Sequence, residues 1–477
     1  MRSLRSLLPT LALTGCFTLG CGTSDTGAPQ PTPPWTGDDR TRDYSVVAWL
    51  QTADSEAAWI EEKLAPWPAQ AGDRDLGVRQ IVRRSSGSDR SVVWTPPASQ
   101  RMTAAVASPS LTWVAVGVGG DRRPFLARGD RQGLITQQTL DDPVLAGDLR
   151  AWLGNEPPNA LRVSILSEDS VRVAGPVDEP IVTLVSEHNA VLAYRLRWSG
   201  AGFEPLARTL VSPALAQTPY LPIGASYDNF DAVVHDFSAR LASVPSGASY
   251  VAVPASHQRV RVHNQIFGTQ LQPLRSDGDL LNRPSDLLVT RLRPDGSIDW
   301  SRLVGIADVD DEVYAVATDA SERLAVVGRT RRERGRDNSE WHISLHVVSA
   351  DGQAAYSQIF DAPGNGIAQA ASFAEDGALF VGGTADWLQN PSGISLYQPG
   401  RPLLLQVAFD AQGRPGLPSV RDDLLPSTSG HAELRAVAAA AGRLWLAGLE
   451  NGPLTHTGDS DPSLIRADGW RRILARP

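Results

Sequence analysis

From Tyr44 onward the chain alternates apolar and polar residues in short runs, and each run stops at glycine, proline, aspartate or serine. Alternation of period two with turn residues at the ends predicts β-strands rather than helices. The pattern is clearest in Ser285–Thr330. There Leu287–Leu292 and Ile298–Val304 flank the turn Pro294-Asp295-Gly296-Ser297, and Val313–Thr318 and Arg323–Gly328 flank Asp319–Glu322. Proline fixes φ and glycine accepts positive φ, so these tetrapeptides are turns for a physical reason. Read alone, Ser285–Thr330 is one four-stranded unit with an acidic loop, Gly305–Glu312, in its middle.

The unit recurs. A strand pair of the form Ala-Val-Ala, turn, Leu-x-Val-x-Gly stands at Tyr314–Gly328, Ala368–Gly382 and Leu434–Gly448. More worn copies stand at Met102–Gly117, Leu161–Gly175 and Ala232–Val244. A second strand pair follows at Pro124–Leu134, Ile343–Phe360, Leu403–Leu417 and Ser463–Leu474, the last around Asp468-Gly469. A repeat of this length implies a solenoid, a propeller or an array, and four antiparallel strands per unit favour propeller blades. With the divergent Tyr44–Pro97 region included, the expectation is an all-β chain forming a β-propeller of six to eight four-stranded blades, seven fitting best. An N-terminal strand such as Tyr44–Leu50 is expected to complete the last blade and remove the open sheet edges. One helix is expected at Asp54–Leu64, capped by Asp54 and stopped by Pro66.

The run PDGSIDWSRLVG followed by DDEVYAVATDASERLAVVGRT resembles the blade repeat of bacterial seven-bladed β-propeller families. The resemblance is good over 285–330 and looser over 340–450. It departs at Gly305-Ile306, where a second glycine is usual, and at Ala440–Gly442, which lacks the aspartate of the turn. It implies an exported protein and brings no catalytic residues with it.

Before Tyr44 the pattern differs. Arg2 and Arg5 precede the apolar run Leu7–Leu13, which suits a signal peptide and is too short for a membrane span. Leu13-Thr14-Gly15-Cys16 resembles the bacterial lipobox, and Thr18-Leu19-Gly20-Cys21 is the second candidate. The resemblance implies a signal peptide within 1–20, lipidation of Cys16 or Cys21, and an outer-membrane lipoprotein at the periplasmic face or the cell surface. Residues 22–39, rich in proline, glycine and threonine, read as a tether to a propeller over 40–477. Both cysteines of the chain lie in this leader, so the body has no disulfide, cysteine nucleophile or thiolate metal site.

Composition adds limits. The net charge of −9 becomes more acidic once Arg2 and Arg5 are cleaved, and no basic stripe offsets it, which argues against nucleic-acid partners. The sequence holds no Gly-x-Ser-x-Gly elbow, His-Glu-x-x-His, P-loop or dinucleotide fingerprint. His342 and His346 would share a face of one strand about 13 Å apart, too far for one ion, and the same spacing argument applies to His257 and His263. No metal centre, cofactor or catalytic residue is therefore assigned. Asp308, Asp310, Asp311 and Glu312 offer oxygen atoms to calcium, but without EF-hand spacing they read first as a solvated loop. Arg331, Arg332, Arg334 and Arg336, with Trp387, are the remaining candidates for partner contact. The Asp295…Trp300 spacing approaches the Asp-box turn of sialidases and is structural here. The expected function is a surface-anchored platform binding a protein, a glycan or an envelope component. The competing expectation is a propeller enzyme, a carbohydrate lyase, glycosidase or quinoprotein, working in the central channel.

Overall fold

The computed structural model describes residues 39–42, 44–53, 56–63, 78–85, 90–120, 123–140, 171–185, 191–212, 239–256, 285–306, 309, 311–331, 341–360, 365–387, 400–426, 432–451 and 467–476. They all belong to the compact unit Pro33–Pro477. The strands form seven antiparallel sheets of four. Blade 1 is β2 (Tyr44–Thr52), β3 (Glu56–Lys63), β4 (Arg79–Ser85) and β5 (Ser91–Trp94). Blade 2 is β6 (Gln100–Ala107), β7 (Trp113–Gly119), β8 (Pro124–Asp130) and β9 (Gly133–Thr139). Blade 3 is β10 (Val171–Ala174), β11 (Ile181–Val185), β12 (Val191–Trp198) and β13 (Phe203–Ser212). Blade 4 is β14 (Arg240–Ser243), β15 (Ser249–Ser256), β16 (Ser285–Leu292) and β17 (Ile298–Val304).

Blade 5 is β18 (Asp311–Thr318), β19 (Leu324–Arg331), β20 (Trp341–Val348) and β21 (Ala355–Phe360). Blade 6 is β22 (Asn365–Phe373), β23 (Leu379–Trp387), β24 (Arg401–Val407) and β25 (Ser419–Val420). Blade 7 is β26 (Ala432–Ala440), β27 (Arg443–Asn451), β28 (Ala467–Ala475) and, as its outermost strand, β1 (Asp39–Arg42). The first strands abut in sequence around the ring, β26 meeting β2. The protein is a seven-bladed β-propeller closed by pairing its first strand with its last.

Seven clusters of buried apolar side chains hold the ring, one at each junction between neighbouring blades. Aromatic rings anchor several of them. Trp94 stacks on Trp113 at 5.1 Å between blades 1 and 2, and Trp49 meets Trp445 edge-on at 5.5 Å between blades 7 and 1. Most of the folding energy of such a ring comes from these inter-blade layers, because a single twisted sheet has no core of its own.

Four expectations are corrected. Ser285–Thr330 is not one blade: β16 and β17 are the outer half of blade 4, and β18 and β19 are the inner half of blade 5. The acidic loop is the bridge between blades. The ring is closed by Asp39–Arg42 and not by Tyr44–Leu50, which lies in the innermost strand of blade 1. The expected helix is strand β3, paired on both sides by β2 and β4, and Ala57 through Glu61 are buried there. A helix could not complete that ladder, so sheet pairing overrides the propensity of an Ala/Glu-rich run. Finally, Asp468-Gly469 sits inside β28 and is not a turn; a Cβ at Gly469 would overlap the Tyr44 carbonyl, so close approach explains that glycine.

Of the worn copies, Met102–Gly117 is the strand pair β6–β7 as expected, and the other two were offset by one strand. Val171–Ala174 and Arg240–Ser243 are first strands, paired with Ile181–Val185 and with β15. Gly175, with φ of 91°, is a turn glycine and not the strand-ending glycine of the motif.

Candidate functional site

Sequential strand order gives the ring two unlike faces. Connections from the first to the second strand, and from the third to the fourth, lie on one face. Connections from the second to the third strand, and from each blade to the next, lie on the other. The first face consists mainly of short turns. The described strand ends that flank residues 64–77, 140–170, 213–238, 257–284, 332–340, 388–399 and 452–466 all lie on the second. We call these the turn face and the loop face.

The inner strands share a device at their loop-face ends. A β-bulge inserts one extra residue at Val47, Thr103, Tyr314, Gln369 and Arg435. Opposite four of these bulges stand Gly117, Gly328, Gly383 and Gly448. A Cβ at any of the four would overlap the carbonyl of Arg101, Glu312, Ile367 or Glu433 respectively. The closing glycine of the Leu-x-Val-x-Gly motif is thus required by the bulge in the strand beside it. In blade 1 Glu61 holds that place, buried, accepting from Trp59 Nε1 at 3.1 Å, Gln80 Nε2 at 2.6 Å and the Arg90 guanidinium.

Around the bulges the chemistry is polar and charged. The Tyr314 hydroxyl donates to Glu312 Oε2 at 2.9 Å, and Arg329 Nε donates to the same oxygen at 2.5 Å. The Arg329 guanidinium lies 4.0 Å from the Trp341 ring centroid and 5.5 Å from that of Tyr314. Arg240 of blade 4 donates its Nε to the Tyr314 carbonyl. At blade 2 the Thr103 carbonyl accepts from Arg79 at 3.0 Å and Arg172 at 3.4 Å. In blade 7 Arg435 bonds Glu433 at 3.0 Å. Bulged carbonyls turned toward a neighbouring blade therefore position arginines at the channel mouth.

Toward the turn face the same strands change character. They continue as Ala104–Ala107, Leu241–Ser243, Ala315–Thr318, Ala370–Phe373 and Ala436–Ala440, with no charged residue. All charges of the described inner strands, Arg101, Arg172, Arg240, Asp311, Glu312, Glu433 and Arg435, stand at the loop-face end.

Of the residues singled out in the sequence, Asp311 and Glu312 begin β18 at this mouth but serve different partners. Asp311 is fully buried; its Oδ2 accepts from the Ile306 amide at 2.7 Å and its Oδ1 lies 3.6 Å from His346 Nε2. Arg331 ends β19 and Trp387 ends β23, so both chain positions reach the loop face. Cys16, Cys21, Asp308, Asp310, Arg332, Arg334, Arg336, His257 and His263 lie outside the described residues. His342 and His346 sit on strand β20 as expected, both buried.

His346 Nδ1 is 2.9 Å from the hydroxyl of exposed Ser357, completing a Ser-His-Asp series with Asp311. Hydrolysis needs a histidine that meets the leaving group as well as the serine. His346 has no exposed surface and its Nε2 makes no hydrogen bond, so the series is a buried contact and not a nucleophilic centre. Tyr314, Gln369, Arg435, Arg240, Arg329 and Trp341 were not foreseen. A signal was present: in Thr-Ala-Ala-Val-Ala, Tyr-Ala-Val-Ala, Gln-Ala-Ala and Arg-Ala-Val-Ala, the residue before the alanine run is the one that changes.

The sequence matches no known protein family. It also matches no curated relative. Solved structures are similar in shape only. The β-propeller domain of the Trilobed protease from Pyrococcus furiosus is 10% identical over 90% of this chain and 94% of its own, with a TM-score of 0.43. A polysaccharide lyase is 10% identical over 91% of this chain and 90% of its own, with a TM-score of 0.46. A puromycin-hydrolysing peptidase from Mycobacterium tuberculosis is 14% identical over 85% of this chain, which spans 49% of that protein, with a TM-score of 0.43.

Proposed function

We propose that this chain is an exported lipoprotein whose propeller binds an envelope-side partner, a protein or a glycan, on its loop face. The observation that carries the reading is the distribution of variation within the repeat. The bulge position changes from valine to threonine, tyrosine, glutamine and arginine, while the glycine opposite it is kept in four blades. A scaffold keeps what the fold needs and varies what a ligand meets. The mouth also supplies what recognition uses, aromatic rings and arginines on rigid strands. The two partly buried carboxylates beside the bulges, Glu312 and Glu433, are each already bonded to an arginine. That pairing suits a fixed recognition surface better than proton transfer.

The test is retention of the mature protein by peptidoglycan sacculi, outer-membrane vesicles and an immobilised glycan panel. The reading expects one of these to retain it, with retention lost in a Tyr314→Ala, Arg435→Glu double variant and kept in Asp376→Ala on the turn face. Retention indifferent to the loop-face changes would overturn the platform. Release of sugar fragments from the panel would replace it with the channel-enzyme reading. Fractionation tests the anchor separately: Cys16→Ser is expected to release the protein, and release by Cys21→Ser alone would move lipidation to the second cysteine.

A further inference from the structure

We infer that the outer rim of blades 1–3 rests on the surface of the membrane that holds the lipid anchor, so that the ring stands edge-on to the bilayer. The inference rests on the lipoprotein reading above. Six large apolar side chains are exposed among the described residues, and four of them share one arc of the rim. Val92 is 47% exposed on β5, Leu134 and Ile135 are 46% and 57% exposed on β9, and Leu206 is 43% exposed on β13. These are the fourth strands of three consecutive blades.

The arc is continuous. The Gln138 side chain of β9 donates to the Phe203 carbonyl at 2.9 Å and accepts from the Phe203 amide at 2.8 Å, stitching blade 2 to blade 3. On the other side Gly133 of β9 lies beside the Val93 carbonyl of β5. Edge strands present unpaired N–H and C=O groups, and soluble proteins usually guard them with charge. The outer strand of blade 4, with Asp299 and Arg302, is so guarded, and that of blade 3 carries exposed Glu204 and Arg208 on either side of Leu206. The outer strands of blades 1 and 2, Ser-Val-Val-Trp and Gly-Leu-Ile-Thr-Gln-Gln-Thr, carry no charge, as do those of blades 5 and 6, and they differ from those in exposing Val92, Leu134 and Ile135 side by side.

The way the chain enters the ring names the occupant. Residues 1–38 precede β1, and β1 is the outermost strand of blade 7, the neighbour of blade 1. The tether therefore joins the body at the rim, one blade away from the apolar arc on one side and from blade 6, with Leu417 and Val420, on the other. A stretch such as 22–38 spans at most about 60 Å when extended. The lipid surface is consequently always within reach of this arc. At the headgroup boundary apolar side chains enter by about 5–10 Å, while main-chain edge groups still meet water and headgroups. Edge-on seating leaves the loop face open to the side, where a partner in the envelope can reach it.

The body lacks cysteine, which makes a site-specific test clean. In a background that keeps only the lipidated cysteine, an environment-sensitive fluorophore is placed at Ile135→Cys, or at Val420→Cys as the control. Val420, 53% exposed on β25 of blade 6, matches Ile135 in character and lies across the ring. The lipidated protein is reconstituted into vesicles containing doxyl-labelled lipid. The expected result is a blue shift at 135 and at least about twofold stronger quenching there than at 420. Equal quenching at the two positions in vesicle-bound protein overturns the rim and leaves the anchor standing. Absence of vesicle binding overturns both. A blue shift at 135 that needs no lipid and grows with protein concentration assigns the arc to a second copy of the chain instead.

Discussion

The two faces of the ring are made from the same strands and obey different rules. On the turn face the local sequence repeats because the geometry does. Asp295, Asp351, Asp376 and Asp410 each accept from the backbone amide two residues on, at 2.9, 3.0, 3.1 and 2.9 Å. Gly296, Gly352, Gly377 and Gly413 follow them with φ between 71° and 86°, where an L side chain is strained. These turns also lock neighbouring blades. Trp300 of blade 4 lies against Gly352 of blade 5 and donates its Nε1 to the Ala350 carbonyl at 3.0 Å. On the loop face only the bulge and its opposing glycine repeat, and the residue displayed at the bulge does not. The difference shows where the fold constrains the sequence: the turn face repeats its Asp-capped turns, and the loop face repeats one glycine in four of the blades.

That contrast can be broken by mutation. The largest effect is expected where the loop face is constrained. Gly328→Val forces a side chain into the Glu312 carbonyl and should cost about 3–5 kcal/mol, read as a large fall in melting temperature. Gly442→Ala, at a turn glycine with φ of 67° and open space around it, should cost only about 1–2 kcal/mol. If the two cost the same, the glycines of the motif answer to backbone conformation and the bulge argument fails.

Next in size is Asp319→Ala. Asp319 accepts from the Arg323 amide at 2.8 Å, Arg323 Nε at 2.7 Å and the Ser321 hydroxyl at 2.9 Å. Its loss should cost about 1–2 kcal/mol in urea unfolding. A cost near zero would mean that the turn-face caps decorate turns already set by the glycines.

Titration gives smaller, signed effects. Burial, partly offset by the Arg291 guanidinium, pushes the Tyr250 hydroxyl from 10.0 to about 12. The unfolded chain loses this proton first, so stability should fall as pH rises from 10 toward 12. Tyr250→Phe should flatten that part of the curve, and an unchanged slope would remove Tyr250 as its source. Donation from the Ser297 and Ser349 hydroxyls, the foremost cause for each, holds the Asp295 and Asp351 carboxyls below their ordinary value of 3.8. Stabilisation from these caps is present above that value and lost as pH falls through the lower folded value. Ser297→Ala with Ser349→Ala should therefore shallow the acid limb of a stability–pH curve.

The smallest stability effect should come from the half-buried bulge side chains. Arg435→Gln should shift unfolding by no more than about 0.5 kcal/mol and yet weaken retention of the partner. A large stability loss there would merge the two faces into one structural role.

The legibility of this fold in the sequence was uneven for physical reasons. Strand content, blade count and the inter-blade use of Trp300, Trp445 and Trp470 follow from alternation and repeat, which are local properties. Blade boundaries did not follow, because strands of period two look alike whether they lie inside or outside. Only pairing shows that Val304 ends one sheet and Asp311 begins the next. The candidate site was half visible. Glu312 and Arg331 were read from charge alone. Tyr314 and Arg435 were hidden because a bulge is a property of two strands together.

By itself the sequence determined an all-β, turn-punctuated chain with a cysteine-free body, and its repeat length was enough to call a propeller. Those properties need only neighbours in the chain. Tertiary structure alone decided that Asp39–Arg42 closes the ring, that Glu56–Lys63 is a strand, and that the variable residue of each motif comes to one mouth. Each of these depends on hydrogen bonds between segments far apart in sequence, and the energy of such a pairing is not written in either segment on its own.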